Sequence, residues 1–294
     1  MSLARRAETA AVRAGFGILR KLGPAMASDF GGGVTRAFGP LLAVSRVADA
    51  NLRRAMPELD AAARRRIIRG VWENLGRVVG ELPHLPVLNR TPCGPGWEIE
   101  GEHILHAQTV RGGPAIFFTG HLGNWEIAPA VAAALGVPVA PMYRPASNPA
   151  VDRIICDLRR KALGDSIPMF TKGAAGARSA LAHLGRGGCL GLVVDQKQND
   201  GIAVDFFGRK AMTAPALAAL ALRFRCPVIP FYAQRVGSAR LRIVCEEPLT
   251  LPDSGDRHAD IAALMRAVNA ALERWIWANP ESWLWLHRRW PKSG

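Results

Sequence analysis

Several patterns that would assign a chemistry directly are missing from this 294-residue chain. It has no H-E-x-x-H run for zinc, no G-x-S-x-G turn for a nucleophilic serine, and no G-x-x-x-x-G-K-[ST] or G-x-G-x-x-G loop for nucleotides. The glycines at 31–33 and 173–176 fit neither nucleotide pattern and are interpreted as hinges and turns. Metal-dependent hydrolysis, serine acylation and nucleotide binding therefore have little support, and we expect no metal or organic cofactor.

Cysteine is also scarce and dispersed. The five cysteines form no C-x-x-C pair, and none shares a recognisable motif with a histidine; they are Cys93, Cys156, Cys189, Cys226 and Cys245. Dispersed cysteines in apolar sequence are typical of buried, reduced thiols. Covalent catalysis by cysteine therefore has little support.

Long apolar runs are absent as well. No stretch of 18 or more apolar residues predicts a membrane-spanning helix, and no signal-peptide pattern is evident, so we expect the catalytic body in the cytosol. Residues 1–50 nevertheless interleave basic and apolar side chains, and the apolar run Phe38 to Val47 follows the glycines at 31–33. This pattern predicts an amphipathic, membrane-associating arm. An ordinary surface helix packed on the core is the alternative.

Charge of one sign is in excess. The formal net charge is +14, mostly from arginine, and the isoelectric point is about 10.7. Such a charge favours an anionic partner, which could be nucleic acid, a phospholipid surface or an acidic carrier protein. Because the arginines are scattered and no helix-turn-helix, zinc or RNP-like pattern accompanies them, nucleic acid is not the expected partner.

The order of elements predicts an α/β fold with a mostly parallel central sheet flanked by helices. Residues 51–96 form a helical region, capped by Asp60, and a proline- and glycine-rich connection. Residues 97–294 form the core, in which strands and helices alternate. Predicted strands cover 115–119, 137–143, 189–194, 228–233 and, antiparallel, 240–245; predicted helices cover 125–135, 150–162, 176–185, 214–224 and 258–277.

The clearest chemical signal is the run Thr119 to Glu126, directly after the first of these strands. His121 and Glu126 are five residues apart, which on one α-helix would turn their side chains about 140° from each other. Gly120 and Gly123 permit a turn between them, and Asn124 can cap a helix that begins at residue 125. This pattern predicts a general base, His121, oriented by Glu126, which removes a proton from a hydroxyl.

The same run resembles a family signature. Gly120–Glu126 is similar to the G-H-x-G-N-W-E form of the H-x-x-x-x-[DE] motif in lipid A biosynthesis lauroyl/myristoyl acyltransferases, within the lysophospholipid acyltransferase superfamily. The resemblance extends from about residue 40 to the C-terminus. Later blocks resemble the family in the same order: Met142–Pro145 with Asn148-Pro149, Asp195-Gln196, Phe206–Gly208 with Met212–Ala214, Pro227–Pro230 and Trp283–Trp290.

The resemblance implies a glycerolipid-acyltransferase-like fold and transfer of a fatty acyl chain from an acyl-carrier-protein thioester to a hydroxyl of a lipid A precursor. The enzyme would lie at the cytoplasmic face of the bacterial inner membrane as a peripheral or monotopic protein, with the carrier protein, the precursor and the anionic bilayer as partners. His121 would deprotonate the acceptor, and Glu126 would orient His121. Arg144, or backbone amides near Gly123 and Asn124, would stabilise the oxyanion; Arg144 could instead contact an acceptor phosphate.

Further roles follow for the later blocks. Asp195 should emerge at the carboxyl end of its strand near His121, where it and Gln196 would bind substrate or where Asp195 would simply cap a loop. Thr213 would bind substrate, although the family's threonine run is shorter here. Residues of the last block would anchor the enzyme among lipid headgroups, or else pack in the core: Trp283, Trp285, Arg288, Arg289 and Trp290.

Two other readings remain open. The acceptor could be another membrane lipid: an ornithine-type lipid, a glycolipid or a lysophospholipid. The chain could also be a non-catalytic, basic protein that binds membranes or nucleic acid. The length of the acyl chain does not follow from the sequence.

Overall fold

In a computed structural model, residues 2–291 are described, and they begin with four helices. These are α1 (Leu3–Leu22), α2 (Pro24–Phe38), α3 (Ser45–Ala55) and α4 (Ala61–Glu81), with 3-10 turns at Gly39–Leu41 and Leu82–Val87. The side chain of Asp60 caps α4 as predicted, because its Oδ1 accepts the amide of Ala63 at 2.7 Å. No described helix is long and apolar enough to cross a bilayer.

Helices α2 and α4 cross at glycines. A Cβ added to Gly31 would lie 2.3 Å from the carbonyl oxygen of Gly76, and one added to Gly80 would lie 2.2 Å from that of Ala27. The two backbones therefore touch, which only glycine allows at such a distance. The prediction of a hinge at 31–33 is wrong, because these glycines lie inside one continuous helix, in which Gly31 and Gly32 face α4 and Gly33 faces open space.

The core contains a seven-stranded sheet in the order β1-β9-β8-β2-β5-β3-β4. Every pair in it is parallel except β8 with β9, which confirms the predicted mostly parallel α/β fold. A separate antiparallel hairpin, which the sequence analysis did not predict, consists of β6 and β7. The strands are β1 (Gly96–Glu100), β2 (Ala115–Thr119), β3 (Val139–Tyr143), β4 (Phe170–Thr171), β5 (Cys189–Val193), β6 (Lys197–Phe206), β7 (Arg209–Thr213), β8 (Val228–Gly237) and β9 (Arg240–Cys245).

Helices cover both faces of the sheet. Phe117 of β2 faces a cluster that includes Val131 and Leu158, whereas Phe118 faces the opposite cluster with Leu272 and Trp275. This alternation follows from the two-residue period of a strand. The helices of the core are α5 (Glu102–Arg111), α6 (Ala128–Ala134), α7 (Pro149–Leu163), α8 (Ala174–Gly185), α9 (Ala216–Phe224) and α10 (Arg257–Ala278).

Most of the large side chains of residues 283–290 lie in the core. Trp283 and Trp285 are completely buried, Trp290 is 4% exposed, and the indole rings of Trp283 and Trp290 pack near Phe206. Buried indoles cannot reach lipid headgroups, so the prediction that these tryptophans anchor a membrane is wrong and the core-packing alternative holds.

Arg289 of the same segment is also buried. Its Nη1 donates to the carbonyl oxygen of Met212 at 3.0 Å, its Nη2 donates to Oγ1 of Thr213 at 2.7 Å, and its guanidinium lies over the ring of Phe206. Burial lowers the pKa of Arg289 to about 10. Neither Arg289 as an anchor nor Thr213 as a substrate contact is therefore supported, because the two side chains are buried and bond to each other inside the protein. Arg288 is exposed, and its contact with headgroups stays a prediction.

Candidate active site

The site begins at the carboxyl ends of two neighbouring parallel strands. Thr119 of β2 is in register with Val193 of β5, and the amide of Val194 donates to the carbonyl oxygen of Thr119 at 3.0 Å. Each strand therefore stops at the same level of the sheet. His121 leaves β2 and Asp195 leaves β5 two residues beyond this last pair, as the predicted strands required. Polar groups at this edge are typical of α/β binding sites.

Asp195 holds His121 through two hydrogen bonds. Its Oδ1 accepts Nδ1–H of the imidazole at 2.8 Å, and its Oδ2 accepts the backbone amide of His121 at 2.8 Å. The indole Nε1 of Trp283 donates to the same Oδ2 at 2.7 Å. Because Nδ1 carries the proton shared with the carboxylate, Nε2 is the ring nitrogen left to accept one from a substrate.

The carboxylate is completely buried, yet it stays ionised. Burial alone raises the pKa of Asp195, but the charge of His121 and its hydrogen bonds outweigh burial and hold that pKa well below the ordinary value of 3.8. His287 lies behind the pair, with its ring centre 6.3 Å from that of His121. Burial lowers the pKa of His287, which favours its neutral form.

Glu126 has a different partner from the predicted one. Arg159 of α7 donates Nε–H and Nη2–H to its two carboxylate oxygens, both at 2.7 Å, and Trp125 donates its indole N–H to Oε1 at 3.2 Å. The carboxylate that orients His121 is thus Asp195, not Glu126. The reason is local: α6 begins at Ala128, and residues 125–127 form a turn. A catalytic role of Glu126 stays a prediction.

Of the two predicted backbone donors, the amide of Gly123 is engaged elsewhere. The amide of Gly123 donates to the carbonyl oxygen of Ser282 at 3.1 Å. The side chain of Asn124 is completely buried, with Oδ1 accepting the amide of Glu126 at 3.1 Å. The amide of Gly123 is therefore not free to bind an oxyanion, whereas a contribution of the Asn124 amide stays a prediction. Their part is to shape the turn, since Gly123 has a φ of +53° and a Cβ there would lie 2.2 Å from the carbonyl oxygen of Ala233.

A buried polar cluster supports this turn from below, and the sequence analysis did not single it out. Glu81, at the end of α4, is completely buried and accepts Nδ2–H of Asn124 at 2.7 Å. Arg235 of β8 pairs with the same carboxylate and donates Nε–H to Asn74 at 3.2 Å. Asn74 in turn donates to the carbonyl oxygen of Gly123 at 2.9 Å. The N-terminal helices and the sheet thus hold the His121 loop together.

A mostly apolar channel leads from His121 into the space between the sheet and helices α6 and α7. Its cavity volume is about 250 Å³. His121, Arg144, Lys172 and Gln196 contribute polar groups at the opening, and the Glu126–Arg159 pair lies on the wall. Apolar residues line the rest, among them Phe117, Ala128, Val139, Leu163, Gly191 and Phe231.

Two cationic side chains, Arg144 and Lys172, lie at the opening of the channel, and the sequence predicted only Arg144 as a site residue. Arg144 is exposed and forms no hydrogen bond or ion pair within residues 2–291. Lys172, which follows β4, was missed because nothing in its local sequence marks it; burial lowers its pKa, while the charge of Asp195 opposes that shift. Among residues 2–291, no three side chains of His, Cys, Asp or Glu come together as metal ligands.

The fold and the site define a class. A histidine held by a buried carboxylate at the opening of an apolar channel, on the carboxyl edge of a parallel sheet, is suited to activating a hydroxyl toward a substrate with a long apolar chain. Residues 2–292 match the family described as bacterial lipid A biosynthesis acyltransferase, and the chain belongs to this family. The resemblance found in the sequence is confirmed. No curated protein matches the chain.

Proposed function

We propose that this acyltransferase moves a fatty acyl chain from an acyl-carrier-protein thioester to a hydroxyl of a lipid A precursor. The observation that carries the proposal is the position of the His121–Asp195 pair, at 2.8 Å, at the opening of an apolar channel. The channel suits an acyl chain, and the pair suits an incoming hydroxyl. Family membership supports the lipid A-type acceptor.

The chemistry follows from the protonation of the pair. Nε2 of His121 accepts the proton of the acceptor hydroxyl, while Asp195 stabilises the imidazolium that forms. The oxygen attacks the thioester carbon, and the tetrahedral intermediate collapses with loss of a thiolate. The imidazolium then returns its proton to that thiolate, which restores the neutral base. Hydroxyl and thioester are thereby converted to an ester and a free thiol.

The cations at the opening supply anion contacts. Arg144 is free to contact either the developing oxyanion or a phosphate of the acceptor, and Lys172 lies beside it in the same opening. Gln196 is the neutral polar group there. Glu126 fixes Arg159 in the channel wall through two hydrogen bonds, so its contribution is to the shape and charge of the wall.

An exposed apolar stripe supports attachment to a membrane surface. Met26, Phe30, Val34 and Phe38 recur every four residues on α2, and all are exposed, with Leu41 and Leu42 continuing the surface. A spacing of four places side chains on one helical face. Basic residues flank this stripe in the sequence: Arg20 and Lys21 lie at the end of α1, and Arg46 lies in α3. Such a surface suits peripheral binding to anionic lipid at the cytoplasmic face of the inner membrane.

The test is direct transfer. The purified protein is incubated with lauroyl- or myristoyl-carrier protein and a lipid A precursor, and the masses of the lipid products are measured by mass spectrometry. Wild type should add one acyl chain, whereas His121→Ala should add none while its circular dichroism is unchanged. His103→Ala is the matched control, because His103 is an exposed histidine paired only with Glu247. Normal transfer by His121→Ala, or no transfer by wild type to this acceptor, would overturn the proposal.

A further inference from the structure

The centre of the sheet contains a glycine that is not fully covered. Gly191 is the middle residue of β5, an internal strand, with Phe117 in register on one side and Pro141 on the other. Residues at such positions are normally buried, yet Gly191 is partly exposed and lines the channel. The exposed area is the channel itself, which passes over this glycine.

A side chain at this position would enter the channel. A Cβ built on Gly191 would lie 2.9 Å from Cγ1 of Val139, a methyl group that also lines the channel, and no backbone atom lies closer to it than 3.7 Å. The strand itself therefore tolerates a side chain, at the cost of a small shift of one methyl. On the opposite wall, Ala128 and Leu163 face the same space.

Gly191 lies at a definite depth. It is in register with Phe117, which lies two residues before the end of β2, and His121 follows two residues after that end, so at about 3.3 Å per residue the glycine lies up to about 13 Å below the base. An extended alkyl chain advances roughly 1.25 Å per bond, from a C–C bond of about 1.5 Å and an angle of about 111°. A chain that enters beside His121 thus reaches Gly191 after about ten carbons.

We propose that Gly191 determines which acyl-chain lengths this enzyme accepts, because the missing side chain lets the chain continue past the middle of the sheet. This inference rests on the proposed acyl transfer, and it deepens that proposal by naming a specificity residue. Any side chain at 191 fills the channel at this depth, and a larger side chain fills more of it. Shorter chains end before Gly191 and are unaffected.

The expected effect follows from the burial of methylenes. Each methylene of the substrate that no longer fits in the channel should lower kcat/KM about fourfold, equivalent to ~0.8 kcal/mol of transfer free energy. Gly191→Ala should lower transfer of 14-carbon chains relative to 10-carbon chains by about four- to twentyfold. Gly191→Leu should shift the preferred chain to ten carbons or fewer, while the rate with the shortest chains stays near that of wild type.

The experiment compares wild type, Gly191→Ala and Gly191→Leu with carrier-protein thioesters of 8 to 16 carbons. Gly185→Ala and Gly185→Leu are the matched controls, because Gly185 is exposed at the end of α8 and its nearest neighbour for a Cβ is Phe224 at 3.8 Å. Thermal unfolding shows whether each variant folds. If Gly191→Leu does not, Gly191→Ala still tests the shift.

A second readout separates this inference from the proposed function. Binding of free fatty acids of 8 to 16 carbons is measured by calorimetry on the same variants. If the chain-length preference shortens in binding but wild type transfers nothing, the proposed function fails and the role of Gly191 stands. If wild type transfers acyl chains and folded Gly191 variants keep its length profile, the role of Gly191 is overturned and the proposed function stands.

Discussion

The indole of Trp283 donates its N–H to Oδ2 of Asp195 at 2.7 Å. The segment after the last helix therefore reaches the carboxylate that holds His121. The two oxygens of that carboxylate have separate partners: Oδ1 accepts from the imidazole, whereas Oδ2 accepts from the indole and the backbone amide of His121, neither of which titrates. The orientation of the carboxylate is thus independent of the protonation of the ring.

Trp283→Phe should lower kcat by about ten- to a hundredfold, because a hydrogen bond to a charged group contributes about 1.5–3 kcal/mol. The ring would still fill the core, so the protein should fold. Steady-state kinetics with the carrier-protein thioester measures the loss, and Trp277→Phe is the control, since Trp277 is half exposed. Unchanged kcat in Trp283→Phe would mean that the indole serves packing alone.

The two carboxylates near His121 should differ in their effects. Asp195→Asn should lower kcat by about 10³- to 10⁴-fold, because the amide neither fixes the tautomer of His121 nor stabilises its cation. Glu126→Gln should cost less, since it breaks a pair with Arg159 and leaves the base in place. Single-turnover rates of acyl transfer, measured for both variants, show which substitution costs more activity. A larger loss in Glu126→Gln would return the orienting role to that residue.

Stability should fall in acid through Asp195. Its pKa is held below 3.8 in the folded protein, so the ionised carboxylate stabilises the fold above the pKa of the unfolded chain, and this contribution is lost as pH falls below about 4. Thermal unfolding between pH 7 and pH 3 should therefore show a shallower acid decline in Asp195→Asn. Asp157→Asn, at an exposed pair with Arg160, serves as control. Equal declines in wild type and Asp195→Asn would contradict the assignment.

The close packing of α2 on α4 predicts that alanine substitutions at two glycines change the free energy of unfolding differently. Gly76→Ala should lower the free energy of unfolding by about 1–3 kcal/mol, because its Cβ would meet Thr35 and the backbone of Gly31. Gly33→Ala, on the open side of α2, should instead be neutral or raise it by up to about 1 kcal/mol. Urea unfolding measures both. Equal effects would show that the helices do not meet at these glycines.

Negative charges introduced into the α2 stripe should weaken membrane binding. Phe30→Asp with Phe38→Asp should lower binding to anionic vesicles at least tenfold, because two large apolar side chains leave the lipid interface. Vesicle flotation at low and high salt measures it. Val110→Asp is the control, since Val110 is exposed on α5 outside the stripe. Equal flotation of the double variant and wild type would place the lipid surface elsewhere.

Five of the nine strands in residues 2–291 could be predicted, namely β2, β3, β5, β8 and β9, because each is mostly apolar and bounded by turn residues. Because strands 115–119 and 189–194 are parallel neighbours in the predicted sheet, the sequence alone places Asp195 near His121. The partner of Nδ1 could not be predicted in the same way. It depends on a turn at 125–127 and on Arg159, which is 33 positions from Glu126 and competes for that carboxylate.

Two other errors share a physical cause, since one residue type suits opposite environments. Tryptophan beside arginine is favoured at a lipid headgroup layer, but it is equally stable in a core that offers a partner for the indole N–H, as Asp195 does for Trp283. Glycine loosens an isolated helix, yet it lets two helices touch, as Gly31 and Gly76 do. Composition alone does not separate these cases.

The hydrogen bond from the main-chain amide of His121 to Asp195 has a practical consequence for capturing the enzyme with its substrates. Every residue type except proline supplies the same amide, so replacing the imidazole leaves the acid bound at Oδ2 by its amide and indole donors. A His121→Asn protein should therefore keep a formed loop and an open channel while lacking the base. It is the natural choice for crystallising donor and acceptor together before reaction.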